Sequence, residues 1–296
     1  MTAVVFFVII SVDYFLTAVA SLRTEKKMRF TVDHDFHIHS QLSVCSRDPR
    51  QTPERIVSYA KEHGLRAVCL TDHFWDERVE RLPFGWATDF YKEQNYPHIC
   101  QAKPLPQEEG VTFFFGCEAE MDKNFKLGIS KERIKDFDLV LIPTTHMHMR
   151  GFTLEEDEFC NAKRLAELWP QRVEAVLNMD LPFEKIGLAH LTCSLIGMTD
   201  GTYLKALDLI PTETMRRVFK KAASVGVGIE LNADDMGYQD GEADVILRPY
   251  RIAKDCGCKF YYGGDAHRPE DFDKIENVEK AIDALGLEES DKFRLR

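Results

Sequence analysis

Two pairs of ligand-type side chains stand near the two ends of this chain. His37 and His39 lie two residues apart in Asp35-Phe36-His37-Ile38-His39-Ser40, and Asp265 and His267 repeat that spacing in Gly263-Gly264-Asp265-Ala266-His267-Arg268. On a β-strand this spacing turns both side chains to one face. Two such pairs converging on one point would supply most of a metal site. The chemistry to expect from it is metal-dependent hydrolysis.

The pattern between the pairs says what must position them. Apolar, strand-like runs are expected at 32–39, 65–71, 111–118, 138–145, 185–190, 226–232 and 259–265. A helix begins at Thr52-Pro53-Glu54, with Thr as N-cap and Pro in the first turn, and ends at Gly64. Further helices are expected at 155–169, 212–225, 242–256 and 275–286. About seven β/α units of this kind form a mostly parallel sheet covered by helices. A closed or distorted, TIM-barrel-like (β/α) barrel fits best, because polar residues recur at the carboxyl ends of the strands, where barrel enzymes carry their sites. The aromatic- and proline-rich stretch 75–110 reads as one long loop.

Read in order, the strand ends give His37 and His39, then Thr71-Asp72-His73, Glu118 with Glu120, His146 with His148, His190, Glu230 with Asn232, and Asp265 with His267. A single histidine there is more often a satisfied core residue than a ligand. A set of them at one barrel mouth is costly to bury unless metals order it. Mixed imidazole and carboxylate donors suit Zn, Fe or Mn. The number of donors implies two or three divalent ions, with Glu118 as the natural bridge. Such a centre lowers the pKa of bound water to give hydroxide near neutral pH and stabilises the attacked and leaving oxygens. That chemistry fits phosphoester hydrolysis.

Bulk properties narrow the partners. The 296 residues carry a net charge of -11, which argues against a surface that coats nucleic acid. A small anionic substrate stays compatible, because bound cations invert the local field. The eight cysteines show no disulfide-like spacing and suit a reducing, cytoplasmic interior. Residues 3–22 form an apolar run, and three readings of 1–28 stand: a membrane anchor, a signal segment, or an extension ahead of a true start at Met28. Residues 29–296 are read as one hydrolase domain.

The motif set resembles the PHP family, the polymerase and histidinol phosphatase superfamily. The resemblance rests on His37-Ile38-His39-Ser40, Thr71-Asp72-His73, Glu118, His146, His190 and Gly264-Asp265-Ala266-His267-Arg268-Pro269-Glu270-Asp271, in order over residues 33–271. It implies a distorted seven-stranded (β/α) barrel and a trinuclear centre. Carried over residue by residue, His37, His39, Glu118 and Asp265 resemble the first metal's ligands, Glu118, His146 and His190 the second's, and His73 and His267 contributors to a third. The chain departs from the pattern after His39, where Val44 and Cys45 stand in place of Asp or His. Cys45 is then either a thiolate ligand or a plain turn residue. His148 competes with His146 as ligand. Arg268 and Arg150 are the phosphate-binding candidates, since a guanidinium holds phosphate through paired hydrogen bonds. Glu230 and Asn232 are candidates for substrate contact or for orienting ligands, Asp72 for orienting a histidine, and Trp75, Trp86 and Phe90 for lining a pocket.

The expected activity is release of phosphate from a small phosphorylated metabolite, with Asp265 or His267 assisting proton transfer. A 3′-5′ exonuclease or oligonucleotide phosphodiesterase, an amidohydrolase-like C–N hydrolase and a non-catalytic metal-binding domain are the alternatives. No stable nucleic-acid partner is expected, and a membrane only if 3–22 is an anchor.

Overall fold

The computed structural model describes residues 28–82, 85–197 and 201–295, excepting the side chains of 85–88. The apolar run 3–22 lies outside the described residues. Among those described, no helix is long and apolar enough to cross a membrane.

Strands β1 (His34–Ile38), β2 (Ala67–Leu70), β3 (His73–Phe74), β4 (Thr112–Ala119), β5 (Leu139–Pro143), β6 (Ile186–Ala189), β7 (Gly228–Asn232) and β8 (Lys259–Gly263) run parallel. Their order is β1-β2-β4-β5-β6-β7-β8, with β3 beside β4. β2 pairs with the first half of β4, and β3 pairs with Glu118 and Ala119 at its end. β3 is therefore β2 resumed after a two-residue break, and the staves number seven. The ring closes beyond the last strand: His39 N donates to Ala266 O at 3.0 Å and Asp265 N to His37 O at 2.6 Å. Closure thus runs through the two motifs with which the sequence opens and ends its chemistry.

Helices α1 (Pro53–Glu62), α2 (Gly85–Glu93), α3 (Tyr96–Ile99), α4 (Ala162–Leu177), α5 (Thr202–Leu209), α6 (Thr212–Val225), α7 (Ala243–Asp255) and α8 (Ile275–Leu285) lie in the connections. The link from β4 to β5 carries only the 3₁₀ turn Arg133–Asp136 among its described residues. This missing α-helix is one source of the distortion. Two expectations change. The 75–110 stretch holds α2 and α3 rather than a bare loop. The helix expected at 155–169 starts at Ala162 and runs through Pro170 to Leu177. Asn161 sets its start, because its side chain accepts from Arg164 N. Pro170 forfeits one helical hydrogen bond, yet it sits buried beside Trp169, so packing offsets that loss.

Glycines shape the lumen. Leu139, Leu141, Ala189, Tyr261 and Phe36 pack as one buried cluster inside the barrel. A methyl at Gly187 would come within 2.5 Å of Tyr261 Oη, and one at Gly228 within 3.0 Å of its ring. Tyr261 can therefore cross the lumen only because its neighbours lack a Cβ. It forms a floor, with Phe293 from the C-terminal segment beside it at a ring separation of 6.0 Å. Glu118, paired with Leu141, and Glu230, paired with Tyr261, stand on the lumen side.

Candidate metal centre

Every stave except β2 itself ends in a side chain that enters one buried cluster, and β2 contributes through its continuation β3. A bulge between Asp35 and Ile38 breaks the alternation of β1, so His37 joins Phe36 on the lumen side while Asp35 turns to Tyr59 of α1. Thr71 fastens β2 to β1: its N donates to Ile38 O at 2.8 Å, and its Oγ1 accepts from Ile38 N at 3.0 Å. His190 and Asp265 follow β6 and β8 with φ of 58° and 51°. Left-handed backbone costs about 1–3 kcal/mol at a non-glycine residue and tends to persist where a site needs it. Both residues aim at the centre.

Glu118 lies in the middle. Its Oε2 is 3.7 Å from His37 Nε2, 3.6 Å from His39 Nε2 and 2.8 Å from His73 Nδ1. Its Oε1 is 3.5 Å from His190 Nε2 and 3.9 Å from His146 Nε2. Despite these distances neither oxygen makes a hydrogen bond, and Asp265 Oδ1 makes none either. Glu118 is 1% exposed. Orphaned carboxylate oxygens cost several kcal/mol apiece when buried without a compensating charge. Oxygens ringed by imidazole nitrogens and left without hydrogen bonds are what a site built for cations presents. The donor set fits divalent metal.

The far nitrogens of four rings are occupied, and a carboxylate or carbonyl partner fixes the tautomer. Glu230 Oε1 accepts from His37 Nδ1 at 2.6 Å, Glu120 Oε2 from His146 Nδ1 at 2.9 Å, and Asp265 O from His267 Nδ1 at 2.8 Å. Ser43 Oγ is bonded to His39 Nδ1 at 3.1 Å. The carboxylate and carbonyl partners leave Nε2 of His37, His146 and His267 free to bind metal, the usual support for an imidazole ligand, and Ser43 does the same for His39 when its hydroxyl accepts. His190 has Asp235 3.9 Å from its Nδ1.

Among the described residues, four groupings bring ligand atoms within 4.8 Å of one another: His37, His39 and Asp265; His37, Glu118 and His190; His39, Cys45, His73 and His267; and, on the outer side of His190, His190, Cys193 and Asp235. Electrostatics agree with this crowding. Burial lowers the pKa of His37, but Glu230, Asp265 and Glu118 together hold it well above the ordinary range. Burial raises Glu118, and the imidazoles of His73 and His37 hold it well below. For Asp265 burial also raises, and His37, His267 and His190 outweigh it. The Cys45 thiol, raised by burial, is brought down to about 6 by His73 and His267. Its residue is exposed at the surface, while the thiol lines the cavity.

The cavity over these residues measures ≈ 310 Å³ and is walled by Phe90, Tyr91, Met149 and Leu195 above the metal-type residues. His148 lines it too, with a buried Nδ1 that makes no hydrogen bond; neither it nor His146 enters the ligand groupings. Among the two histidines after β5, His146 is the one that faces Glu118.

Other candidates fall elsewhere. Arg268 is exposed and 3.6 Å from Asp271, and Arg150 is exposed and stacks over Phe159 at 4.1 Å. Neither lines the cavity. Glu230 has no oxygen left for a substrate: Oε1 holds His37, and Oε2 accepts from His190 N at 2.9 Å. Asn232 accepts from Asp234 N and Asp235 N and donates toward Glu230. Asp72 orients no histidine; it accepts from Ser40 N and Ser40 Oγ, both at 2.7 Å, and so shapes the loop after β1. Trp75 is buried against Tyr91 and Phe152, and the Trp86 side chain lies outside the described residues.

Sequence reasoning gave no role to Glu120, Asp235, Tyr91 or Arg172. Tyr91 Oη donates to Glu120 Oε2 at 3.0 Å, extending the support of His146 to α2. Arg172 is fully buried on α4. It donates to Thr144 O at 2.6 Å, Met121 O at 2.8 Å, Asp122 O at 3.1 Å and Thr153 O at 3.2 Å. One guanidinium thus ties the segments after β4 and β5, and burial draws its pKa down to about 10. Of these, only the Glu118-x-Glu120 spacing left a trace in the sequence.

Comparison with known proteins places this geometry. The profile of the PHP domain matches residues 35–234. A search of curated proteins found no match. Among solved structures, a zinc-containing histidinol phosphate phosphatase from Lactococcus lactis, in complex with L-histidinol and phosphate, aligns with a TM-score of 0.54 at 19% identity. The alignment covers 89% of this chain and 100% of that one. A dihydropteroate synthase from Coxiella burnetii aligns more loosely, with a TM-score of 0.38 at 12% identity over 90% and 98% of the two chains. At 19% identity the likeness to the phosphatase concerns the fold. The profile match covers most of the chain, on a seven-stave barrel whose strand ends converge on Glu118: the chain belongs to the PHP family of metal-dependent hydrolases.

Proposed function

We propose that this protein is a metal-dependent phosphomonoesterase acting on a small phosphorylated metabolite. The observation that carries the reading is Glu118, whose two buried oxygens lack hydrogen bonds amid five imidazoles from four stave ends. His37, His39, Asp265 and Glu118 would hold one ion, Glu118, His146 and His190 a second, and His73 with His267 would contribute to a third. Ions bound there supply Lewis acidity and acidify water, which is the chemistry phosphoryl transfer needs.

The chain's own groups do the rest. Glu230, Glu120 and Ser43 hold the ligand rings in register. The walls of Phe90, Tyr91, Met149 and Leu195 exclude water from one side of the cavity and accept the apolar part of a leaving group. No arginine or lysine lines this cavity among the described residues, so the phosphate charge is met by the centre itself. Asp265, with Oδ1 free of hydrogen bonds, is the group that accepts a proton from the attacking water. His267 uses Nδ1 on a carbonyl and is committed to binding through Nε2. The cavity volume suits a small molecule better than a polymer.

The test compares zinc-, manganese- and iron-loaded protein on a panel of small phosphate monoesters and on short oligonucleotides. Phosphate release from monoesters, lost in His37→Ala, supports the reading. Mononucleotide release without monoester cleavage would replace it with a phosphodiesterase.

A further inference from the structure

We propose that Cys45 binds metal as a thiolate alongside His73 and His267. The third site is then a nitrogen–sulfur site within a centre otherwise built of nitrogen and oxygen. This rests on the metal-centre reading above.

His39 groups with these residues, but its Nε2 faces the first site, beside Asp265 and His37. Its Nε2 lies 3.1 Å from Asp265 Oδ1 and 3.1 Å from His37 Nε2, and its Nδ1 bonds Ser43 Oγ. Cys45, His73 and His267 are left as the donors of this site. An independent feature marks the same place. Glu118 Oε2, buried and without a hydrogen bond, lies 2.8 Å from His73 Nδ1, so an unpartnered anion already points there.

The loop that carries Cys45 is fixed from outside. Gln94 Oε1 accepts from Val44 N at 3.1 Å, and Gln94 Nε2 donates to Leu42 O at 3.1 Å. His98 Nε2 donates to the same carbonyl at 2.8 Å, and Ser46 Oγ donates to His267 O. The excursion from 75 to 110 therefore clamps the main chain beside Cys45, and Ser46 ties that loop to the residue bearing its partner imidazole. A turn cysteine with no role would need none of this.

Thiolate softness has a consequence for the metal. Sulfur with imidazole favours zinc, ferrous iron or cobalt over manganese and magnesium, whereas carboxylate with imidazole discriminates less. Binding converts the thiol to thiolate and releases its proton to solvent. The three sites should then part company in metal preference, with manganese serving the Glu118 and Asp265 sites and not the Cys45 site.

The experiment strips the full chain with a chelator and titrates it with cobalt(II), read by absorption. A thiolate-to-cobalt charge-transfer band in the near ultraviolet is expected. In Cys45→Ser the band should vanish while the visible cobalt bands of the other sites persist. A second readout needs no variant: X-ray absorption of the zinc-loaded wild type should show one sulfur neighbour at about 2.3 Å. Cobalt binding without the band, a band that survives in Cys45→Ser, or a zinc shell without sulfur overturns the proposal and leaves the metal-centre reading intact. Failure to bind cobalt at all overturns both.

Discussion

Glu230 Oε1 accepts a 2.6 Å hydrogen bond from His37 Nδ1, joining β7 to β1 across the lumen. The carboxylate fixes the tautomer of His37 and raises its basicity as a ligand. In Glu230→Gln an acceptor of the same shape remains and the charge is lost. Metal affinity should fall about 10- to 100-fold, as measured by competition with a chromophoric chelator. Unchanged affinity would mean that Glu230 only fills space.

Gly263 faces the same carboxylate. A methyl there would run into Glu230 Oε1 and lie 2.8 Å from His37 Cβ. Gly263→Ala should weaken metal binding in the same direction as Glu230→Gln. Combined, the two changes should cost less than their sum, because both act on one hydrogen bond. Strict additivity in metal titrations would argue against this linkage.

Arg172 makes a stability prediction. It meets four carbonyls and no carboxylate within hydrogen-bonding distance. Arg172→Met leaves those carbonyls short of donors in a buried place, so unfolding free energy in urea should drop by about 3–5 kcal/mol. Arg172→Lys, which keeps the charge and some donors, should lose less.

Asp35 predicts a pH dependence. It is fully buried and its pKa is raised to about 7, chiefly by burial, against the lowering effect of hydrogen bonds from Gly264 N, His37 N and Tyr59 Oη. The unfolded chain releases this proton near pH 4, so between about pH 4 and pH 7 the folded state holds more protons. Stability from this group falls as pH rises through that window and levels off above it, by roughly 4 kcal/mol at most. Asp35→Asn should flatten the slope when metal-free protein is unfolded in denaturant across that range. An unaltered slope would assign it to other groups.

Much of the barrel was legible, and the reasons are physical. Parallel strands buried on both faces read as short apolar runs, and the ligands sit where each run stops. Glu118 and His190 could be placed on that ground alone. Orienting groups were harder. Asp235 comes from the loop after β7 and Arg172 from the middle of a helix, so no local spacing marks either of them. Arg268 misled because its neighbours carry the motif; its own side chain turns to Asp271 and solvent. The helix expected over 155–169 runs on through Pro170 to Leu177, held there by tertiary packing.

The central claim is that Glu118 gathers the metal ions on which phosphate release depends. The direct measurement is phosphate release from small monoesters by wild type and Glu118→Ala, each stripped of metal and then reloaded with zinc, manganese or ferrous iron. The account predicts release by reloaded wild type only, with Glu118→Ala lower by at least about 100-fold in line with loss of a ligand and its charge. Release that survives stripping, or that Glu118→Ala retains in full, would contradict it.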